Sequence, residues 1–303
     1  MTLSADLIAI FKAGRFWKNA PLLLTFISGM FVMPMGHAFD GNAALVAAIV
    51  VMVSAFFMTH VNVITDHELD KQHKPHLFNY LNRNMSFTRW VVAAEALVSL
   101  AIMLLLYRWG YGPTALALLA FGLAAVLYSY NFLMPVGDLP VKHRLKVYGW
   151  GHFIVLIVGY VALWLAGYFL VASGVDGFWP VCFLLLSLSE YSLFLLESSI
   201  DTTEEKQQGI RSLSAILGFK HTNLVAILIN LAAIVGVGVL LMDHADAARL
   251  ALCFFPAMLL RLGYEAFMYG VNDAEKRYIY LRKWPDVLFN FTRLYILISL
   301  ILL

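Results

Sequence analysis

The chain alternates long apolar blocks with short charged connectors, and this pattern restricts the folds that are open to it. Each block runs for about 18 to 25 residues, the length that an α-helix needs to cross the hydrocarbon core of a bilayer. Of the 303 residues, 61% are hydrophobic and 13% are charged, whereas a soluble domain is usually about 45–50% apolar and about 25% charged. The sequence therefore predicts an all-α integral membrane protein. The alternation over about ten residues that marks a membrane β-barrel is absent.

A window of about 19 residues places nine candidate membrane-spanning helices along the chain. They are predicted at residues 20–38, 43–62, 89–107, 112–135, 148–172, 178–198, 222–242, 247–269 and 286–303. We expect residues 1–303 to form a single domain, a nine-helix bundle with a cytoplasmic polar cap around a central cavity. An odd number of spans places the two termini on opposite sides of the membrane.

Charge in the connectors predicts the orientation of the bundle. Seventeen of the 21 Lys and Arg residues lie in the N-terminal segment and the even-numbered connectors, while Arg108 and Arg249 lie in connectors on the other side. Because basic connectors stay in the cytoplasm, the sequence predicts a multi-pass protein of a bacterial-type inner membrane with a cytoplasmic N-terminus. Ten acidic residues fall on the same side, so we expect the active face there. The net charge of +2 indicates no nucleic acid partner.

An acidic column ends the second predicted span. Asn62, Asp66 and Asp70 are spaced i, i+4 and i+8, so a continuing helix would present them on one face. Two carboxylates and an amide oxygen are hard ligands of the kind that Mg²⁺ prefers. The alternative is an ordinary helix end that reaches into water.

A second acidic column ends the sixth predicted span. Glu197, Asp201 and Glu205 follow Glu190 at offsets of 7, 11 and 15 residues, which return to within about 60° of the starting direction. A carboxylate inside the hydrocarbon costs about 2.5–3.5 kcal/mol and is a functional hypothesis by default. Two facing acidic columns would repel each other unless cations lay between them.

The two columns together favour a particular chemistry. Mg²⁺ ions bridging a diphosphate would neutralise the carboxylates and polarise the leaving group, and nearby basic residues could bind the remaining phosphate charge. These basic residues are Lys71, Lys74, Lys142, Arg144, Lys146 and Arg211. The arrangement suits the ionisation of an allylic diphosphate.

These residues resemble the UbiA superfamily of intramembrane prenyltransferases, whose members have nine transmembrane helices and two aspartate-rich motifs on the cytoplasmic side. The first family motif, Asn-Asp-x-x-Asp-x-x-x-Asp, is matched at Asn62, Asp66 and Asp70, with Val63 in place of its second residue. The Asn-Arg-Pro-Leu segment that follows in the family is similar to residues 73–77, where Lys74 replaces Arg.

The second family motif, Asp-x-x-x-Asp-Arg-x-x-Gly-x-Arg-Thr-Leu, is similar to residues 201–213. Asp201 and Arg211 match, whereas Glu205, Lys206 and Ser212 replace Asp, Arg and Thr. The Tyr-Ser and Arg-Leu-Lys elements of the family are present at residues 128–129 and 144–146, about ten residues further apart than the family leads us to expect.

The resemblance implies Mg²⁺-dependent transfer of an isoprenoid chain from a polyprenyl diphosphate to a lipophilic acceptor, aromatic or isoprenoid, with release of diphosphate. It implies catalytic roles for Asp66, Asp70 and Asp201, and a metal site formed by these residues with Asn62 and Glu205. The diphosphate would be bound by Lys74, Arg144, Lys146 and Arg211. Further candidates are Glu197, Tyr128 and His152, a histidine that could act as the base for the acceptor or be a hydrogen-bonded structural residue.

Two other functions are compatible with parts of the pattern. A terpene cyclase of the same fold would use the same metal-triggered ionisation, and Val63 and Glu205 leave room for it. A cation-coupled transporter could use the acidic columns as ion sites, but the sequence has no internal repeat and no matching pair of Gly/Pro-broken spans. Among the other ionisable residues within spans, Arg261 and Glu265 are spaced i, i+4 and are expected to pair with each other.

Overall fold

The structure is a computed structural model that describes residues 16–33, 40–65, 75–129, 149–172, 174, 176–202, 206 and 212–303. Within these ranges the chain forms nine α-helices and no β-strand, which confirms the all-α prediction. In chain order the helices are α1 (Phe16–Phe31), α2 (Gly41–Thr65), α3 (Pro75–Arg108), α4 (Gly112–Ser129), α5 (Gly149–Tyr168), α6 (Phe178–Ser198), α7 (Leu213–Leu241), α8 (Ala247–Gly270) and α9 (Ala274–Leu302), and a 3₁₀ turn at Ser199–Asp201 follows α6.

Six of these helices, α2, α3, α6, α7, α8 and α9, are long and apolar enough to cross a membrane. The apolar parts of α1, α4 and α5 are shorter, at Asn19–Phe31, Gly112–Tyr128 and Phe153–Tyr168. The six long helices agree with a multi-pass membrane protein, while the count of nine spans stays a prediction. The predicted polar cap falls on residues 66–74, 130–148, 203–205 and 207–211, which lie outside the described residues.

The helices form a ring. Each helix packs against the next along the chain, α9 packs back against α1, and α1 also packs across the ring against α5. The α1–α5 contact separates two apolar cores. One core is built from α1 to α5 around Phe26, Leu118 and Leu163. The other is built mainly from α5 to α9 around Trp164, Phe183 and Phe254.

Two glycines allow α1 and α5 to cross closely. A methyl group added to Gly167 would overlap the carbonyl oxygen of Phe26, and one added to Gly29 would overlap the carbonyl oxygen of Trp164. Small residues of this kind let helix backbones approach each other inside a membrane, where tight packing replaces the hydrophobic effect as the driving force. Both glycines lie near the C-terminal ends of their helices, so α1 and α5 run in the same direction.

Contacts near the helix ends determine the directions of α2 and α6. Asn19, near the start of α1, donates hydrogen bonds to the Ala55 carbonyl and the Thr59 hydroxyl near the end of α2. Phe153 near the start of α5 contacts Tyr191 in the second half of α6. Since α2 is antiparallel to α1 and α6 is antiparallel to α5, α2 and α6 end on the same side of the bundle. We call this side the motif end and the other side the opposite end.

At the opposite end, Arg249 joins three helices through their backbone. From the first turn of α8 its guanidinium donates to the carbonyl oxygens of Phe31 and Val32 at the end of α1, at 3.1 and 3.2 Å, and to that of Leu300 in α9 at 3.4 Å. A cation is favoured at a helix C-terminus, where carbonyl groups lack partners within the helix. This contact explains one of the two basic connector residues on the sparsely charged side.

Several helices extend past the predicted spans at the motif end. The helices α3, α7 and α9 begin at Pro75, Leu213 and Ala274, before the predicted starts at residues 89, 222 and 286. Hydropathy detects only the apolar part of a helix, whereas the polar turns outside the hydrocarbon continue its hydrogen bonding. The first turn of α7 is set off from the rest by Gly218, whose φ of +73° and ψ of 168° suit only glycine.

Candidate active site

The first acidic motif begins on the last turn of α2. Asn62 is half-buried between Val61 and Val63, which are 1% and 2% exposed, and the helix continues to Thr65. The predicted helical column therefore starts as expected. Its carboxylates, Asp66 and Asp70, and the diphosphate-binding candidate Lys74 lie outside the described residues.

The second acidic motif begins on the last turn of α6. Glu197 is half-buried there. The 3₁₀ turn then carries the backbone of Asp201 to the motif end. Both motifs are thus attached to the same end of the bundle, as the sequence predicts.

The remaining site candidates also belong to the motif end. Tyr128 lies half-buried in the last turn of α4, and His152 lies in the first turn of α5. Four predicted residues fall outside the described part of the chain: Arg144, Lys146, Glu205 and Arg211.

The predicted ligand set fits Mg²⁺ by its chemistry. Asn62, Asp66, Asp70, Asp201 and Glu205 supply amide and carboxylate oxygens, the hard donors that this ion prefers, and no thiolate or imidazole. Among the side chains that the structure describes, no group of three His, Cys, Asp or Glu residues could hold a metal ion. The ligand set therefore rests on the motifs, with Asn62 as its described member.

Below the second motif lies a buried group of charges. The Arg293 guanidinium donates to both oxygens of Glu190, with Nη2 to Oε2 at 2.7 Å and Nε to Oε1 at 3.0 Å, and Arg261 Nη2 lies 3.4 Å from Oε1. All three side chains are 1–2% exposed. The sequence predicts Glu190 as the innermost member of the acidic column, but its oxygens are occupied by two arginines. Glu190 is therefore part of a buried ion pair.

The expected pair of Arg261 and Glu265 is wrong. Arg261 donates from Nε and Nη2 to the Thr292 hydroxyl at 3.1 and 2.8 Å and faces Glu190. Glu265 instead contacts the Ser192 hydroxyl at 2.5 Å and accepts from the Asn230 amide at 3.1 Å. Spacing along one helix shows that two side chains share a face, but partners on neighbouring helices compete for them. The result is a polar network that connects α6, α7, α8 and α9.

A second buried pair precedes the first motif. His60 Nδ1 lies 2.9 Å from Glu95 Oε1, and the two side chains are 2% and 15% exposed. The pair joins α2 to α3 two residues before Asn62. In the sequence, Glu95 is a lone acid within an apolar span, and such a residue requires a partner. Its partner, His60, lies 35 residues away, so no local pattern identifies it.

The architecture defines a polytopic α-helical membrane protein with two acidic motifs at one end, and solved structures share it. A UbiA homolog from Archaeoglobus fulgidus bound to DMAPP and Mg²⁺ superposes with a TM-score of 0.66 at 12% identity, covering 98% of this chain and 99% of that chain. The same homolog bound to GPP and Mg²⁺ gives 0.65 at 11% identity, with 96% and 99% covered. A digeranylgeranylglyceryl phosphate synthase gives 0.66 at 16% identity, with 99% and 100% covered. These likenesses establish the fold.

The sequence itself establishes the family. The profile of the UbiA prenyltransferase family matches residues 22–284, a stretch that contains both acidic motifs and the seven complete helices α2 to α8. The chain therefore belongs to the UbiA prenyltransferase family, and its enzyme class is that of a prenyltransferase. Among functionally curated proteins, no sequence matches this chain significantly.

Proposed function

We propose that this protein transfers an isoprenoid chain from a polyprenyl diphosphate to a lipophilic acceptor, aromatic or isoprenoid, in a Mg²⁺-dependent reaction that releases diphosphate. The observation that carries the proposal is the family match over residues 22–284, which includes the acidic motifs of α2 and α6. Related structures hold DMAPP or GPP together with Mg²⁺, in agreement with this choice of donor and metal.

Different motif residues would bind the metal and the phosphate oxygens. Asn62, Asp66, Asp70, Asp201 and Glu205 would hold Mg²⁺, which when bound neutralises the diphosphate and makes it a better leaving group. The basic side chains would bind the phosphate oxygens by charge-assisted hydrogen bonds. These are Lys74, Arg144, Lys146 and Arg211.

The reaction exchanges one bond for another. The bond between the allylic carbon and the diphosphate oxygen breaks with both electrons going to oxygen, and a bond forms between that carbon and a nucleophilic atom of the acceptor. The acceptor then loses one proton. His152, in the first turn of α5, is our candidate for receiving it.

The bundle accounts for the lipophilic substrates. A prenyl tail is as apolar as lipid, so it can be accommodated among membrane-embedded helices while the diphosphate stays at the polar motif end. We propose that residues 1–303 act as one unit, with the motif end and the N-terminus in the cytoplasm. The donor and the acceptor would then meet at the inner surface of the membrane.

The first prediction concerns metal and motif. Purified protein with Mg²⁺ and an allylic diphosphate should release diphosphate when an acceptor is present, and EDTA should abolish the release. Asp66→Asn, Asp70→Asn and Asp201→Asn should each lower turnover by roughly 100- to 1000-fold, because losing one electrostatic partner at the reacting centre costs about 3–4 kcal/mol. Glu205→Asp, which keeps the carboxylate, should lose far less than Glu205→Gln.

The matched control is Asp243→Asn, because Asp243 is an exposed acid at the opposite end and should be dispensable. Rates are normalised to folded protein, and products are identified by mass with and without acceptor. Full activity in EDTA, or near-normal rates for both Asp66→Asn and Asp201→Asn, would overturn the proposal. A cyclised hydrocarbon formed without acceptor would identify a terpene cyclase instead.

A further inference from the structure

The buried ion pair lies directly beneath the second acidic motif. Glu190 and Glu197 are seven residues apart on α6, which places them on one face of the helix. From Glu190 to the backbone of Asp201 the chain rises about 17 Å through the helix and the 3₁₀ turn. The Glu190–Arg293 pair therefore marks a fixed depth below the site proposed for the diphosphate.

Tyr160 of α5 covers this ion pair. The Arg293 guanidinium carbon lies 5.0 Å from the centroid of the Tyr160 ring, a distance at which a cation is attracted to an aromatic face. The ring also packs against the apolar core of α1 to α5. Tyr160 thus lies between the two halves of the bundle.

Tyr160 nevertheless keeps accessible surface. It is half-buried, although one side contacts the first core and the other contacts Arg293, which is 2% exposed. Ile154 and Val158, the exposed large residues of α5, are 49% and 46% exposed and lie about 120° and 160° away from Tyr160 around the helix. The accessible surface of Tyr160 therefore lies on the other side of α5 from this exposed strip. Glu197, two helical turns from Glu190 towards the motif end and on the same face of α6, is half-buried as well. A space that continued from Tyr160 past Glu197 would open at the motif end.

Arg293 supports the Tyr160 ring on the side of the buried ion pair. Arg293 donates two hydrogen bonds to Glu190 and also lies 5.7 Å from the Phe289 ring centroid. A bidentate arginine–carboxylate pair is geometrically rigid. A prenyl chain that reached this depth would meet an aromatic ring that cannot move back without breaking the ion pair.

We propose that Tyr160, held by Arg293, forms the end wall of the prenyl-chain pocket and limits the length of chain that the enzyme accepts. An isoprene unit adds four carbon–carbon bonds of about 1.5 Å, which project to roughly 5 Å. The rise of about 17 Å between Glu190 and Asp201 corresponds to about three extended units. This inference rests on the proposed function, because it requires a diphosphate at the motif end.

The test measures chain-length preference. Dimethylallyl, geranyl, farnesyl and geranylgeranyl diphosphates are compared by kcat/KM for diphosphate release, with Mg²⁺ and one acceptor. Tyr160→Ala removes the wall and should raise the geranylgeranyl-to-geranyl ratio by about tenfold or more, since one methylene already changes specificity by about 10- to 200-fold. Tyr160→Trp enlarges the wall and should lower the same ratio, so the test survives if one of these variants fails to fold.

Two comparisons separate the wall from other effects. Tyr160→Phe keeps the ring and should keep the wild-type ratio, which isolates bulk from the hydroxyl. Tyr269→Ala removes an aromatic side chain that is 43% exposed on α8 and should also keep it. If the ratio stays within about twofold of wild type in Tyr160→Ala and Tyr160→Trp, or in the one of them that folds, the inference is overturned while the proposed function is left intact. Wild-type protein that releases diphosphate from none of the four substrates would overturn the proposed function itself.

Discussion

At the scale of single residues, the molecule shows how charges are accommodated inside a membrane protein. Glu190, Arg261 and Arg293 are almost fully buried. Both oxygens of Glu190 nevertheless accept hydrogen bonds from arginine, and Arg261 also donates to the Ser189 and Thr292 hydroxyl groups. A buried pair of this kind contributes little net stability when it is complete, but breaking it leaves an uncompensated charge. The cost of losing one member should therefore be large.

The prediction for this pair is a strong coupling. Arg293→Met and Glu190→Gln should each destabilise the solubilised protein by about 3–5 kcal/mol, while the double variant should cost less than the sum of the two. Thermal unfolding in detergent, followed by size-exclusion chromatography, measures all four proteins. Arg282→Met is the control, because Arg282 is exposed on the same helix and an exposed contact contributes only about 0–1 kcal/mol. A coupling energy below about 0.5 kcal/mol would show that the pair is energetically unimportant.

At the scale of the helices, the close crossing of α1 and α5 determines how the two cores meet. The atoms that approach Gly29 and Gly167 are backbone atoms of the other helix, and these cannot turn aside as a side chain could. Any side chain at either position must push the helices apart. Separation at this point would disturb both cores, because α1 and α5 contribute to each of them.

We therefore predict that Gly167→Ala destabilises the protein by about 1–3 kcal/mol or more, the usual cost of overpacking, and that Gly29→Ala does the same. Gly122→Ala is the matched control. Gly122 also lies within a helix, but an added methyl group meets nothing within 4 Å. That substitution should be neutral or stabilise the helix by up to about 1 kcal/mol. Equal melting temperatures for Gly167→Ala and Gly122→Ala would contradict the proposed role of the crossing.

Helix positions could be predicted from the sequence where apolarity alone decides them. The sixth helix spans Phe178–Ser198 and the eighth Ala247–Gly270, against predictions of 178–198 and 247–269. The starts of α3 and α9 could not be found in this way, because the turns after Pro75 and Ala274 are polar. Hydropathy measures the membrane-embedded part of a helix and not its hydrogen bonding.

In the candidate site, too, some features could be predicted from the sequence and others could not. Local spacing predicted that Asn62 and Glu197 lie on the final turns of two helices that end on the same side of the bundle. Spacing could not predict the partner of Glu190, because Arg293 lies 103 residues away and only the packing of α6 against α9 brings them together. For the same reason the i, i+4 rule paired Arg261 with the wrong carboxylate.

At the scale of the whole molecule, the ring of helices has two chemically different ends. The opposite end carries Arg108 and Arg249 as its basic connector residues, and Arg249 is engaged with backbone carbonyls. Most of the other lysines and arginines lie in the segments that the sequence assigns to the side of the motif end. This asymmetry is the basis for the proposed cytoplasmic orientation of the motif end.

Orientation can be tested with introduced cysteines. Asn272→Cys, between α8 and α9, should react with a membrane-impermeant maleimide only from the cytoplasmic side, and Asp243→Cys only from the other side. The native Cys182 and Cys253 are both buried and should give little background. Reporters fused at Met1 and Leu303 should be read on the cytoplasmic and non-cytoplasmic sides, respectively. A cytoplasmic signal at Leu303 would mean that the chain does not cross the membrane nine times.

The Arg249 contact sets an order for assembly during synthesis. The helices α1 to α5 share a core made by neighbours in the sequence, so this half can form while the ribosome is still translating the rest. The contact of α1 with α8 and α9 can form only later, because Arg249 is 217 residues away from Val32. Arg249 also donates to the carbonyl oxygen of Leu300 in α9. Until α8 and α9 have been synthesised, this flank of α1 therefore lacks the contacts that cover it in the folded bundle.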